Sequence, residues 1–190
     1  MRKEDYGFFY GTVYDPQGDL MSPTVYQKGS WVLHMLRGVV GDEVFFKILR
    51  TYYEDYKYKT ANTQQFIDVC ERVSGQDLTD FFEQWVIKGT GRPTYEYSWV
   101  ADEYDGQEGT DAYMLRLTLE QKQSKKDNWE LFKMPVKITV VTDKGEEELI
   151  FFNDQKKQVF AHPIKGKPTK VYIDKDGWIL KKVYENRDKK

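Results

Sequence analysis

Apolar residues recur at intervals of three and four in the first half of this 190-residue chain and alternate with polar residues in the second half. The first spacing is that of one helix face, and the second is that of a strand with one buried face. The change falls at Gly89-Thr90-Gly91-Arg92-Pro93, whose glycines and proline suit neither a helix interior nor a central strand. We therefore predict two domains, a helical one over residues 1–92 and a β domain over residues 93–190.

Four helices are predicted in the first half, and short connections between them favour antiparallel neighbours in a small helical array. Their inner faces are expected to carry Val32, Leu33, Leu36, Val39 and Val40; Phe45, Ile48, Leu49 and Tyr52; Phe66, Val69, Cys70 and Val73; and Leu78, Phe81, Phe82 and Trp85. The first helix begins within a residue or two of Tyr26. A capping box over 24–27 and a Ser22 cap followed by Pro23 are equally good starts.

The later helices have their own start and stop residues. Gly41 is expected to end the first helix and Gly75 the third, because glycine readily adopts the backbone conformation that follows a helix. The residues predicted to cap the second, third and fourth helices are Asp42, Asn62 or Thr63, and Asp77.

Seven short strands are predicted in the second half, over 95–100, 113–119, 132–140, 147–152, 158–161, 170–173 and 178–182. Strands of this number and length, each with one apolar face, are typical of an antiparallel β-sandwich. Pro135 cannot donate to a ladder, so its strand is expected to lie at an edge or to contain a bulge. The run 174–177 is expected to form a hairpin turn. The fold class is therefore α+β, with the helical array first and the sandwich second.

Composition and charge exclude several classes of protein. The chain is 39% hydrophobic, which supports a buried core, and its formal charge of −2 provides no electrostatic basis for nucleic-acid or anionic-membrane binding. We expect no membrane span, because no apolar run approaches about 18 residues. The first residues, Met1-Arg2-Lys3-Glu4-Asp5, do not resemble a signal peptide.

Histidine and cysteine provide few candidates for chemistry. His34 and His162 lie on opposite sides of the predicted boundary, and the sequence contains neither an H-E-x-x-H motif nor a zinc-type cluster. We interpret His34 as a half-buried helix residue and His162, beside Pro163, as a loop residue. Cys70 lies on an apolar helix face, where a free cysteine is usually a small packing residue.

Tyr26 is a candidate for a different reason. A tyrosine in the first helical turn places its phenol near the positive end of the helix dipole, where it can donate a hydrogen bond to a developing oxyanion. The alternative is that Tyr26 is one more packing aromatic among fourteen tyrosines. The position alone leaves both interpretations open.

Several motifs, in this order and spacing, resemble those of the aminopeptidase N family of zinc metallopeptidases, the gluzincins. They are Gly11-Thr12-Val13-Tyr14-Asp15, Thr24-Val25-Tyr26-Gln27-Lys28-Gly29, Val40-Gly41-Asp42-Glu43, Val73-Ser74-Gly75-Gln76-Asp77-Leu78, Phe81-Phe82-Glu83-Gln84-Trp85, Leu117-Thr118-Leu119-Glu120-Gln121 and Met134-Pro135-Val136-Lys137-Ile138. The resemblance implies the end of the catalytic domain followed by the β-sandwich domain of such an enzyme.

The resemblance also implies a role for Tyr26. In this family the tyrosine of the Tyr-x-Lys-Gly motif hydrogen-bonds the oxyanion of the tetrahedral intermediate while a zinc ion and a glutamate activate water for peptide hydrolysis. The family's zinc ligands precede this motif and are not found in this sequence. We therefore expect a C-terminal fragment of a zinc-dependent aminopeptidase that acts on peptide N-termini. Alone, without the upstream catalytic segment as its partner, the chain is expected to be inactive and to hold no zinc.

Two alternatives to an aminopeptidase remain. One is a non-catalytic pseudopeptidase scaffold that keeps the fold for protein binding, although a scaffold has no need of the Tyr26 phenol. The other is a free-standing β-sandwich that binds proteins, which leaves the aminopeptidase-like helices unexplained.

Overall fold

The computed structural model describes residues 11–16, 20–104, 112–124 and 129–186. These residues form two compact units. One extends to Gly91 and also contains Trp129, and the other contains the remaining described residues from Arg92 onwards.

The first unit is helical, as predicted. Its elements are a π-helical turn π1 (Thr24–Lys28), α1 (Gly29–Val40), α2 (Asp42–Tyr56), α3 (Thr63–Ser74), α4 (Thr79–Phe82) and a second π-helical turn π2 (Glu83–Ile87). Each π turn is continuous with an α-helix, since π1 runs into α1 and α4 runs into π2. Single π turns within α-helices are rare and often occur at functional sites.

The helix starts follow the predictions only in part. At α3 the cap is Asn62, one of the two predicted residues, and it forms a capping box: the Asn62 side chain accepts from Gln65 N, and the Gln65 side chain accepts from Asn62 N. At π1 the N-cap position is taken by Pro23, and not by Ser22 or Thr24 as predicted. There the backbone carbonyl of Ser22 accepts from Val25 N and Tyr26 N at 3.0 and 3.3 Å, so the first turn closes on main-chain atoms.

At α2 the N-cap is the residue before the predicted Asp42, and at α4 it is the residue after the predicted Asp77. Gly41 precedes α2 with φ 82°, while Asp42 instead forms a two-point ion pair with Arg37. Leu78 is the N-cap of α4, but the Asp77 carboxylate still accepts from Thr79 N at 2.9 Å. This backbone hydrogen bond lowers the pKa of Asp77.

The helical core is formed by apolar residues from all four α-helices and π2. Its most deeply buried members are Met35, Leu36, Ile48, Val69, Cys70 and Trp85. Edge-to-face contacts run from Tyr52 to Phe66 and on to Phe82, with ring centroids 5.1 and 6.2 Å apart. One predicted core position is wrong: Leu33 is 38% exposed, because the buried face of α1 passes through Met35 instead.

The second unit contains seven strands, as predicted. They are β1 (Thr94–Glu103), β2 (Ala112–Gln121), β3 (Met134–Thr142), β4 (Gly145–Asn153), β5 (Lys157–Lys165), β6 (Pro168–Ile173) and β7 (Lys182–Glu185). One sheet has the order β5-β2-β1-β7 and the other β4-β3-β6. The sheets contact each other through side chains, for example by the Tyr97 hydroxyl, which donates to the Val171 carbonyl at 2.8 Å. All pairings are antiparallel except that of β1 with β7.

The last strand and the turn before it differ from the predictions. The predicted strand over 178–182 is instead a turn followed by β7, and the run 174–177 does not close a hairpin. The Asp174 carboxylate accepts from Trp178 N and Ile179 N, both at 2.9 Å, and pairs with Lys181. These contacts turn the chain from β6 in one sheet to β7 in the other.

Pro135 lies in the middle strand of its sheet, so the predicted edge position is wrong. The other predicted possibility, a bulge, agrees with a register shift between Val141 and Thr142 in the pairing of β3 with β6. Pro135 lies beside Phe152 of β4, while the pairing of β3 with β6 begins only at Ile138. At Pro135, β3 therefore has one neighbouring strand and not two. Proline, which lacks an N–H, is tolerated where one side of a strand is unpaired.

Within the described ranges, no helix is long and apolar enough to cross a membrane.

Candidate functional site

Tyr26 lies in the middle of π1, with its side chain directed to the surface. The side chain is 59% exposed, and the hydroxyl donates to the Met21 sulfur at 3.2 Å. A thioether is a weak acceptor, so this contact competes poorly with a charged oxygen. The phenol is thus accessible and able to donate to another acceptor.

Lys28, two residues later in the same turn, is buried. It is 1% exposed, and its ammonium donates to the Gly89 carbonyl at 2.8 Å. Burial disfavours the charged form and lowers the pKa of Lys28 to about 8. The turn therefore presents one polar side chain outward and holds another inside the unit.

Gly89 lies just beyond π2 in a confined position. Its N–H donates to the Glu83 carbonyl at 3.0 Å, and Lys88 N donates to the same oxygen at 2.9 Å. A Cβ added at Gly89 would lie 1.8 Å from the Gln84 carbonyl oxygen. Only glycine fits there, and its carbonyl is held in place for Lys28.

The other candidates from the sequence are Cys70, His34 and His162. Cys70 is fully buried and burial raises the pKa of its thiol to about 12, which confirms its interpretation as a packing residue. His34 is half-buried against Trp31, with ring centroids 5.4 Å apart, as expected. His162 lies in β5 and not in a loop, because β5 is an edge strand that tolerates Pro163.

No three His, Cys, Asp or Glu side chains are placed to hold a metal ion within the residues that the structure describes. His34 belongs to the helical unit and His162 to the β unit. The described residues therefore do not fit a zinc site, and Tyr26 has no metal partner among them.

A cleft of about 440 Å³ opens on the helical unit between the start of α3 and π2. It is lined by Tyr14, Asn62, Thr63, Gln64, Ile67, Glu71, Thr79, Phe82, Glu83 and Ile87. Its carboxylates already have partners: Glu71 accepts from Leu78 N at 3.0 Å, and Glu83 pairs with Lys88 at 2.7 Å. Tyr26 does not line this cleft.

Comparison with known proteins connects Tyr26 and Lys28 to a peptidase family. The peptidase family M1 domain matches residues 12–85, which include both side chains. This stretch of the chain therefore matches part of a peptidase family M1 domain, and proteins named aminopeptidase N are among its relatives.

Individual relatives are similar to different lengths of the chain. The chain is 35% identical over 81 residues to aminopeptidase N of Lactococcus lactis, covering 43% of the chain and 9% of the relative. It is 29% identical over 162 residues to aminopeptidase N of Haemophilus influenzae, covering 76% of the chain and 17% of the relative. The chain therefore spans less than a fifth of these relatives.

A solved structure shows the same fold. Aminopeptidase A of Legionella pneumophila, in complex with aspartic acid, matches with a TM-score of 0.63 at 16% identity. The match covers 88% of this chain and 18% of the other. At this identity the likeness concerns the fold alone.

Sequence reasoning missed the buried Lys28 and its contact with Gly89. A signal was present, because Lys28 lies four residues before buried Val32 and four after buried Thr24, on the same helix face. A lysine on an apolar face indicates a buried partner, but the partner 61 residues away along the chain is visible only in the fold.

Proposed function

We propose that this chain is part of a zinc aminopeptidase that removes N-terminal residues from peptides, and that Tyr26 stabilises the tetrahedral intermediate. The match of residues 12–85 to the peptidase family M1 domain supports the reaction class. The observation that carries the role of Tyr26 is its exposed phenol, which lies in a helical turn and donates to a weak sulfur acceptor.

The chemistry follows from where charge develops. When water adds to a peptide carbonyl, the oxygen gains negative charge, and a neutral phenol donates a stronger hydrogen bond to that oxyanion than to the carbonyl. Such a donor stabilises the transition state more than the bound substrate and so raises kcat. Moving the Tyr26 hydroxyl from the Met21 sulfur to the oxyanion exchanges a weak acceptor for a charged one.

The described residues lack a set of ligands that fits zinc. In this proposal the zinc ion is therefore held by residues outside the described ones. When bound, it would supply a polarised carbonyl and an activated water. We infer that an upstream catalytic segment holds it and that the isolated chain has neither catalytic zinc nor peptidase activity. Stoichiometric zinc together with peptide hydrolysis in the purified chain would contradict this inference.

The first test is to read the gene upstream of the codon for Met1. The proposal expects an open frame with H-E-x-x-H and a glutamate roughly twenty residues later. A frame in which these ligands are replaced would instead favour the scaffold alternative.

The second test is Tyr26→Phe in the full-length protein. Loss of one oxyanion donor is expected to lower kcat by about a hundred- to a thousandfold, with zinc content unchanged. The matched control is Tyr53→Phe, which removes a phenol oxygen from an exposed tyrosine on α2. Equal activities of the two variants would remove the catalytic role of Tyr26.

One observation favours a non-catalytic scaffold as the second candidate. Ile150 and Phe152, on the outward face of β4, are 72% and 55% exposed. Neighbouring apolar residues at a surface often mark a protein contact. In a scaffold, Tyr26→Phe would leave binding to a protein partner unchanged, whereas Ile150→Glu would weaken that binding.

A further inference from the structure

The position of Lys28 requires a physical reason. A lysine is almost never fully buried without a partner, and desolvating its ammonium is costly. A methionine would fill similar space without that cost. The amine therefore has to contribute what methionine lacks, which is the hydrogen bond to the Gly89 carbonyl at 2.8 Å.

The acceptor end of this hydrogen bond is confined by its neighbours. Gly89 follows π2, its N–H is bonded to the Glu83 carbonyl, and the Gln84 backbone leaves no room for a side chain. The carbonyl also lies at the C-terminal end of the continuous helical segment α4–π2, where a cation is favoured. Lys28 thus anchors π1 to a fixed point 61 residues away along the chain.

Lys28 and Tyr26 are parts of one turn. Side chains two residues apart along a helix point to nearly opposite sides, so a lysine fixed inward sets the direction in which the tyrosine points outward. The 1% exposure of Lys28 and the 59% exposure of Tyr26 agree with this geometry.

We propose that Lys28 is a positioning residue that holds the Tyr26 phenol for the reaction through its hydrogen bond to Gly89. This inference rests on the proposed function, because Lys28 acts only through Tyr26. A displacement of about 1 Å at a catalytic group can cost about a hundredfold in rate, which sets the expected effect.

A double-mutant cycle in the full-length protein tests the proposal. Lys28→Met is expected to lower kcat about a hundredfold in the wild-type background, with KM nearly unchanged. In the Tyr26→Phe background it is expected to lower kcat no further, since the group that Lys28 positions is already gone. The control is Val32→Ala, a buried truncation one turn later on α1, which is expected to leave kcat unchanged.

The outcomes separate the two proposals. Equal losses of kcat from Lys28→Met in both backgrounds would assign Lys28 a purely structural role and overturn the inference. No loss from Lys28→Met, with a loss from Tyr26→Phe, would also overturn it while leaving the proposed function intact. If Tyr26→Phe itself causes no loss, the proposed function fails.

A measurement on the wild-type protein applies even if Lys28→Met does not fold. Native-state hydrogen exchange is expected to show the amides of π1 protected as well as those of α1, because the anchored turn opens only with the helix. Exchange in π1 as fast as in the connection over 58–61 would overturn the proposal.

Discussion

Gln121 and Asn153 join the two sheets of the β unit: Gln121 Nε2 donates a hydrogen bond of 2.7 Å to Asn153 Oδ1. Gln121 ends β2 and Asn153 ends β4, and both are buried. The Gln121 amide also donates to the Phe132 carbonyl at 2.7 Å and accepts from Phe132 N at 3.0 Å. One side chain therefore links two strands and the segment that leads into β3.

Gln121→Leu is predicted to destabilise the β unit strongly. It would leave the Phe132 N–H and carbonyl and the Asn153 oxygen buried without these partners, at about 1–3 kcal/mol for each group. We expect a loss of about 3 kcal/mol or more in the free energy of unfolding, measured by urea denaturation followed by circular dichroism. The control is Gln155→Leu at an exposed position, and a comparable loss in both variants would contradict the prediction.

Alanine substitutions at Gly89 and Gly29 are predicted to have opposite effects. The new Cβ at Gly89 would collide with the Gln84 carbonyl and displace the acceptor of Lys28, so the midpoint of thermal unfolding should fall. Gly29 is helical with open space around its Cβ position, so Gly29→Ala should stabilise α1 by about 0.5–1 kcal/mol. This prediction would be contradicted if the midpoints of thermal unfolding of Gly89→Ala and Gly29→Ala moved in the same direction.

Lys28 is predicted to make stability depend on alkaline pH. Burial lowers the pKa of Lys28 from 10.5 to about 8, so between these values the unfolded chain binds more protons than the folded chain. Its contribution to the free energy of unfolding should therefore rise with pH from about 8 to 10.5, by at most about 1.4 kcal/mol per pH unit.

Denaturation curves of the wild type and of Lys28→Met, taken between pH 8 and 10.5, measure the contribution of Lys28 as the difference between their free energies of unfolding. Lys47→Met, at an exposed position on α2, is the control. If the wild type and Lys28→Met showed parallel pH profiles, Lys28 would not titrate as its burial requires.

Cys70 is predicted to be inert in the folded chain. Burial raises the pKa of its thiol to about 12, and the sulfur is inaccessible, so a thiol reagent such as DTNB should react at pH 8 only as fast as the unit opens. In urea the single thiol should react at once. Fast, stoichiometric labelling without denaturant would show that the thiol is accessible.

The sequence by itself determined the elements whose causes are local. The alternation and helical spacing of apolar residues identified four helices and six of the seven strands, and Asn62 was one of the two residues predicted to start α3. Gly75 ends that helix with φ 68°, as glycine after a helix often does. These features depend on side chains a few residues apart, which the sequence places together before the chain folds.

Tertiary structure alone decided which distant groups meet. β7 pairs in parallel with β1 and leaves β6, its neighbour in sequence, because the Asp174 contacts turn the chain towards the other sheet. The Lys28 ammonium finds its acceptor at Gly89 only when π1 and π2 pack in the same unit. Such contacts follow from the energy of the whole packed arrangement, since any one of many carbonyls could satisfy a lysine and several strands could pair with β7.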